Sequence, residues 1–407
     1  MLIENCSYPR DVRVRREAEA LVHVGHDVTV VCPALPGQAT EETFNGVHIR
    51  RYATPPEVGG QLGYFIEYGY SLLAVLFLAS WVALHHGIDV IHAANPPDLF
   101  VFLAIVFKPF GVQFIYDQHD LAPEMYRARY GGRAKPMVEA ALRFCERLSY
   151  RLADHVLVSN DSYRENAMLR GRVSASRVSV VRNGPDAAQL QHSAKPISGL
   201  GGAGVTVFAY LGLMGTQDGV AHLIGALDFL HRGLGRTDFL CLLVGSGEEQ
   251  ANLERLAQAC GLEEKVRFMG FIPDPDYIPY LLAADICVDP DPSSEYNDRS
   301  TMIKILDYMA LSKPIVAFDL PETRRSAGEA AIYAKPNSEM EFAKALEYLM
   351  DHPEQRMSMG AIGRLRVESE LSWSTSAASL LRAYATLSPE RNQAAALGVT
   401  SRAEQSK

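Results

Sequence analysis

Residues 205–219 read VTVFAYLGLMGTQDG. An uncharged run of β-branched and aromatic residues enters a glycine-bearing turn, and a segment of helical character follows. A strand that is apolar along its whole length is buried on both faces, which is the condition of a strand inside a parallel sheet. The unit recurs. FLCLLVG (239–245) leads into GSGEE, KVRFMG (265–270) into GFIPD and DICVDP (285–290) into a polar run, and PIVAF (314–318) follows. The first half repeats it in DVTVV (27–31), IDVIHA (88–93), VQFIYD (112–117) and DHVLVS (154–159). Short apolar strands alternating with helical lengths predict parallel sheets with crossover helices. Their distribution predicts two α/β domains, each doubly wound, with a cleft between them.

The chain has 407 residues, more than one comfortable core holds. NGPDAAQLQHSAKPISGLGGAG (183–204), rich in Gly, Pro, Ser and Ala, reads as the linker. The expected division is 1–190 and 191–370, with a polar tail over 389–407 that is expected to be disordered. Hydrophobic residues make up 48% and charged residues 21%, as in globular proteins. A net charge of −9, with the acidic excess after residue 183, argues against a general nucleic-acid binder. The six cysteines form no C-x-x-C pair, so reduced thiols in a reducing compartment are expected. The opening MLIENCSYPRD lacks a basic start followed by an apolar core, so no secretory signal is expected. YSLLAVLFLASWVAL (70–84) falls short of the roughly 20 residues of a membrane span and is expected to form a buried or interfacial helix.

Ligands of open α/β sheets bind beyond the carboxyl ends of the strands. In the second half that rim carries Gly212 and Gly215, Gly245 and Gly247, the turn with Phe271 and Ile272, and the segment NDRSTMIKILDYMALSKPIV (297–316). A single glycine turn is usually structural, but four such loops on one rim are informative. In the last segment, the backbone N–H groups of Ser300, Thr301 and Met302 at a helix start suit an anion. Lys304 would add a full positive charge. Asp307, on the same helix face, would accept hydrogen bonds from vicinal hydroxyls such as those of a ribose. The plain alternative is a capped helix with a Lys304–Asp307 ion pair. In the first half YDQHDLAPEMY (116–126) brings His119, Asp120 and Glu124 to a strand end, and His92 and Asn95 end another strand at the same rim. Either a histidine that orders a substrate or a structural one fits there. Arg143, Arg147 and Arg151 recur at four-residue spacing after Arg127, Arg129, Arg133 and Lys135. That basic face suits an anionic bilayer or simply water.

STMIKILDYMALSKPIVAF, with VRNGPD (181–186), YLGLMGTQDGV (210–220) and DVRVRREAEALVHVGHDVTVVCP (11–33), resembles the retaining glycosyltransferases of family 4, of GT-B architecture. The bacterial exopolysaccharide and O-antigen enzymes look most similar, and the resemblance runs from residue 1 to about 388. It implies two Rossmann-like domains, with a C-terminal helix over about 371–388 packing back on the first. It implies a nucleotide-diphosphate sugar donor in the second domain and a saccharide acceptor in the first. Asp307 would then be the ribose partner, Ser300, Thr301 and Met302 would line the diphosphate, and the turn with Phe271 and Ile272 would meet the base. His92, Asn95 and Glu124 would belong to the acceptor side, and Asp11 and Arg13 match a family signature. Two departures stand out. Arg299 occupies the position of the family's sugar-binding glutamate, and Leu213 and Asp218 replace the usual Arg and Lys of the first glycine loop. Lys304 then becomes the expected neutraliser of the diphosphate, and Arg299 leaves an acidic donor sugar open.

The function expected is sugar transfer to a lipid-linked saccharide, with retention, for a cell-surface polysaccharide. His119, Asp120, Arg299 and Lys304 form the expected catalytic set, with no metal ion and no cofactor besides the donor. The expected place is the cytoplasmic face of the membrane, in peripheral contact with anionic lipid and without nucleic acid. A nucleotide-sugar epimerase and a non-catalytic nucleotide-sugar-binding protein are the alternatives. A Rossmann dehydrogenase does not fit, because no G-x-G-x-x-G follows the first strand.

Overall fold

The computed structural model describes residues 1–55, 60–185, 195–200, 202 and 204–387. Part of the predicted linker and the whole predicted tail lie outside these residues. The chain forms two compact units. The first comprises residues 1–127 and 132–181 and resumes at Ser376; the second comprises 128–131 and 182–375.

The first unit contains β1 (Thr29–Pro33), β2 (Glu41–Phe44), β3 (Val47–Tyr52), β4 (Val90–Ala94), β5 (Gln113–Gln118), β6 (His155–Val158) and β7 (Val178–Val180). Their orders are β2-β3-β1 and β4-β5-β6-β7, and Leu2 bridges the two sets by pairing in parallel with Val31 and Ala93. Every strand pair is parallel except β2–β3, a hairpin. Its turn residues Asn45 and Gly46 have φ of 49° and 81°, both left-handed as a type I′ turn requires.

The helix Gly60–His86 runs 27 residues, well beyond the apolar stretch noted above. Its segment Ile66–His86 is, by length and composition, enough to cross a membrane, which corrects the expectation that it is too short. Ser71, Val75, Ala79 and Val82 form a buried stripe along it. The opposite side shows Leu73, Phe77 and Leu84, 68%, 70% and 84% exposed. The Ser71 hydroxyl donates to buried Glu4 at 3.2 Å.

The second unit contains β8 (Thr206–Leu211), β9 (Phe239–Val244), β10 (Val266–Gly270), β11 (Ile286–Asp289), β12 (Ile315–Phe318) and β13 (Ala331–Ala334). All are parallel, in the order β10-β9-β8-β11-β12-β13. This is the doubly wound order, which reverses direction between β8 and β11. Alternation along β8 shows why the strand is apolar throughout. Phe208 and Tyr210 enter a core with Leu223, Leu243 and Phe342, while Val207 and Ala209 enter another with Ile305, Leu306 and Met309.

Burial, reinforced by Glu67 and opposed by the Ser71 hydrogen bond, pushes the Glu4 carboxyl up to about 7. A carboxyl raised on folding contributes stability below its unfolded value near 4.5, and loses that contribution as pH rises through about 7. Glu4→Gln should therefore match the parent at pH 4 and exceed it at pH 8 by on the order of 2 kcal/mol. Urea unfolding at the two pH values measures this.

Candidate functional site

In the second unit the loops after β8, β9 and β10 are knit together by their backbones. The N–H groups of Gly212, Met214 and Gly245 donate to the carbonyls of Val244 (3.0 Å), Ser246 (3.1 Å) and Gly270 (2.9 Å). Gly245 has φ 136°, and a Cβ there would lie 1.8 Å from the Gly212 carbonyl oxygen. Gly247 packs against the Met214 backbone, and the Gly215 N–H donates to the Asp218 carboxylate at 2.9 Å. Close packing of loop on loop thus already requires several of these glycines. The buried Asn297 amide donates to the carbonyls of Gln217 and Pro292, both at 2.9 Å. It ties the loop after β11 to the loop after β8, directly over the reversal of strand order. Phe271 stands 75% exposed after β10, with Ile272 half-buried beside it.

The predicted anion-binding segment is built differently from expectation. The helix is Ile303–Ala310, and Met302 is its N-cap without a side-chain hydrogen bond. Ser300 turns inward, its N–H donating to Asn297 (3.1 Å) and its hydroxyl to Tyr296 (2.9 Å). The Thr301 hydroxyl donates to Glu322 at 3.2 Å. Ser300 therefore does not offer its N–H to an anion, and neither hydroxyl caps the helix. Arg299 is half-buried in the single turn Asn297–Arg299.

Lys304 is the larger correction. Its ammonium lies 2.8 Å from Asp291 and 3.0 Å from Asp289, and 4.7 Å from the centre of the Tyr210 ring. Lysine and both carboxylates are buried. The ammonium is neutralised from within, so it is neither the free counter-charge for a diphosphate nor the partner of Asp307. Burial opposes its charge, but Asp289 and Asp291 outweigh burial and raise its pKa well above the ordinary lysine value. Burial and Asp289 push Asp291 upward, against Lys304, and burial raises Asp218 as well. Asp307, also buried, accepts from the Tyr277 hydroxyl at 3.3 Å.

In the first unit the ends of β4 and β5 come together. Asn95 accepts from the N–H groups of His119 (2.7 Å) and Asp120 (3.0 Å), and donates to Asp98 and to the Asp120 carbonyl, both at 2.9 Å. Its amide holds the His119–Asp120 turn instead of facing a ligand. Glu124 is buried against Arg170 at 2.5 Å, with Arg127 at 3.5 Å and Arg143 at 3.8 Å. It is a structural ion-pair centre, and Arg143 is thereby withdrawn from the predicted basic face, which leaves Arg147 and Arg151 exposed. His92 is buried between Tyr384 and two carboxylates, so it too is removed from the acceptor set. His119 remains at the turn, its Nε2 2.5 Å from Asp117.

Three residues of this cluster are absent from the sequence-based set: Glu17, Asp117 and Tyr384. Glu17 carried a signal, since it falls in the buried stripe Val14, Glu17, Ala18 and Leu21 of the helix Val12–His23. Asp11 caps that helix, accepting from the N–H groups of Arg13 and Val14, and Arg13 also binds Asp11 through its guanidinium at 2.9 and 3.1 Å.

Residues 11–184 match the glycosyl transferase 4-like domain, and residues 205–352 match the glycosyl transferases group 1 domain. The chain is 28% identical over 225 residues to alpha-D-kanosaminyltransferase of Streptomyces kanamyceticus, covering 53% of this chain and 56% of that one. Matches to the curated relatives span from about a third to somewhat over half of their length. Sucrose-phosphate synthase from Thermosynechococcus elongatus superposes with a TM-score of 0.78 at 19% identity, over 94% of both chains. HepE of Anabaena, solved with UDP-glucose, gives 0.67 at 18% identity, over 95% of this chain and 99% of its own. At such identities the likeness is one of fold, and the fold is GT-B.

Removing one partner of a buried ion pair leaves uncompensated charge, which typically costs about 3–5 kcal/mol. Lys304→Ala should lose stability on that scale at pH 7 and clearly less at pH 5, because burial and Asp289 already push the Asp291 carboxyl upward and its protonation relieves the unpaired charge. Denaturant midpoints at the two pH values test it. A loss independent of pH would show that packing, and not charge, is what Lys304 supplies.

Proposed function

Because the chain belongs to the glycosyltransferases in which a glycosyl transferase 4-like domain precedes a group 1 domain, we propose that it transfers a sugar from a nucleotide-diphosphate donor to a saccharide. The observation that carries this reading is the reversal of strand order between β8 and β11, with the loops of the second unit gathered over it. Such a reversal is where open α/β sheets bind ligands. In this reading the start of the helix Ile303–Ala310 takes the diphosphate on its backbone N–H groups, from Thr301 and Met302 inward. Asp307 takes the ribose, and the turn at Phe271 and Ile272 takes the base. Lys304 holds the ends of the strand and helix in place rather than touching phosphate. Arg299 meets the donor sugar, and His119 and Asp120 meet the acceptor. Transfer proceeds with retention, without a metal ion or further cofactor, and rests on positioning and electrostatics.

The acceptor in this proposal is lipid-linked, as in cell-surface polysaccharide synthesis, and the protein works at the cytoplasmic face of the membrane. Supporting this is the exposed row of Leu73, Phe77 and Leu84, because soluble surfaces seldom carry so long an apolar face. A second reading, nucleotide-sugar binding without transfer, is favoured by one pair of facts. Arg299 stands where the family has glutamate, and Lys304 is already neutralised.

A thermal-shift screen of nucleotide sugars, followed by product analysis with and without added saccharide, tests the proposal. A donor should stabilise the protein by mass action. Stabilisation without transfer or hydrolysis would favour the second reading, and sugar inversion without an acceptor would reveal an epimerase. Asp307→Asn should weaken a ribonucleoside diphosphate about tenfold, as for loss of one charge-assisted hydrogen bond, while leaving its dideoxy analogue unchanged. Calorimetric titration of both ligands reads the contrast. Phe77→Asp with Leu84→Asp should abolish flotation with phosphatidylglycerol-containing vesicles and leave the melting temperature nearly unchanged.

A further inference from the structure

The buried cluster of the first unit forms a continuous row of polar atoms. Asp117 stands in its middle, at the end of β5. One carboxylate oxygen, Oδ2, lies 2.5 Å from His119 Nε2 and 3.1 Å from His92 Nε2. On the far side of His92, Nδ1 lies 2.8 Å from the hydroxyl of Tyr384. Tyr384 belongs to the helix Trp373–Leu387, in the part of the chain that returns to this unit. The whole row is buried, with His92 and Asp117 almost fully so.

The chemistry of the donors fixes the proton positions. A carboxylate only accepts, so the proton shared with Asp117 must be on Nε2 of His119. In neutral His119 the lone pair is then on Nδ1, and Nδ1 is buried without a hydrogen-bond partner among the described residues. An unpartnered buried acceptor costs free energy unless something donates to it. Glu17 does not compete for Asp117 as a second anion. Burial, and then Asp117 itself, raise the Glu17 carboxyl well above the ordinary range. Burial opposes charge on Asp117, but His119 and His92 outweigh it and keep Asp117 ionised.

We infer that Asp117 is a positioning residue that presents the Nδ1 lone pair of His119 to a donor hydroxyl, and that Tyr384 orients His92, which backs Asp117 at ion-pair distance. The hydroxyl would be that of the saccharide acceptor, and this part rests on the function proposed above. The tautomer itself does not. The C-terminal helix thus becomes a supporting part of the acceptor machinery. A divalent cation is the competing occupant, since ligand atoms of Glu17, His92 and Asp117 lie within 4.8 Å of one another. It would need Glu17 ionised, against its surroundings.

The test is long-range ¹H–¹⁵N correlation of the imidazoles in the full-length protein, with His119 assigned through His119→Gln. The expected result is a single Nε2–H tautomer for His119. Asp117→Ala should convert it to a mixture, and the milder Tyr384→Phe should shift the His92 and His119 signals together. Acceptor-dependent turnover should fall at least tenfold in Asp117→Ala, with nucleoside diphosphate affinity unchanged by calorimetry. An Nδ1–H tautomer, or His119 signals indifferent to both substitutions, would overturn the inference. So would one equivalent of zinc or manganese found by elemental analysis, with His92 shifted by its removal. If the tautomer responds as expected but no nucleotide sugar supports transfer, the positioning row stands and the proposed function falls.

Discussion

Crossovers between parallel strands are right-handed, and that single constraint organises the second unit. From β8 the chain winds outward through β9 to β10, then returns past β8 to start β11 and winds the other way. Helices following the two directions must lie on opposite faces of the sheet. The loops leaving β8 and β11 therefore part company, and the space between them is left for something other than a helix. Asn297 bridges that space below, and Asp218, Asp289, Asp291 and Lys304 fill its floor.

The charged floor is a costly arrangement, because carboxylates taken out of water are stabilised only by good geometry and matched charge. Three acids surround one lysine, and the excess is relieved by shifting carboxyls toward their neutral form. The first unit solves a similar problem with the opposite balance. There Glu124 collects Arg170, Arg127 and Arg143, and Arg170 pairs with Glu146 as well. Both are dense networks in which deleting one member leaves the others exposed to burial without compensation.

Strands buried on both faces were legible in the sequence because they are mostly apolar, with only isolated polar residues such as Thr29, His92 and Arg267 among them; each of the nine runs corresponds to a strand. The hairpin of β2 and β3 was missed although Asn45-Gly46 is a strong turn signal. The edge strand β2 carries the exposed Glu41 and Glu42, and the central β3 carries Arg50 and the buried Arg51, so both escape a search for apolar runs. The three-residue β7 is too brief to show a pattern, and β13, though as long as β12, begins and ends in alanine and lacks a β-branched run. For the site, sequence placed polar residues at strand ends but could not say which way each one faces. Lys304 meets partners 13 and 15 residues away, Glu124 one 46 residues away, and His92 one 292 residues away. Pairing at such separations is decided by the fold, so Lys304, Asn95, Glu124 and His92 read as ligand-binding and proved to be internal. Conversely, Asp117 was passed over because, beside His119, it looked like the end of a strand.

The return of the chain from Ser376 to the first unit has a consequence for biosynthesis. A ribosome delivers residues 1–181 early, yet the tyrosine that engages His92 is made only after the second unit has been synthesised. The second unit is nearly contiguous and can close as soon as it has emerged, in the usual domain-wise manner. The nascent first unit must wait with a buried imidazole lacking its phenol partner. Its final packing is thus timed by translation of its neighbour, and a chain released early would carry a first domain with strands in place but that imidazole still unmatched.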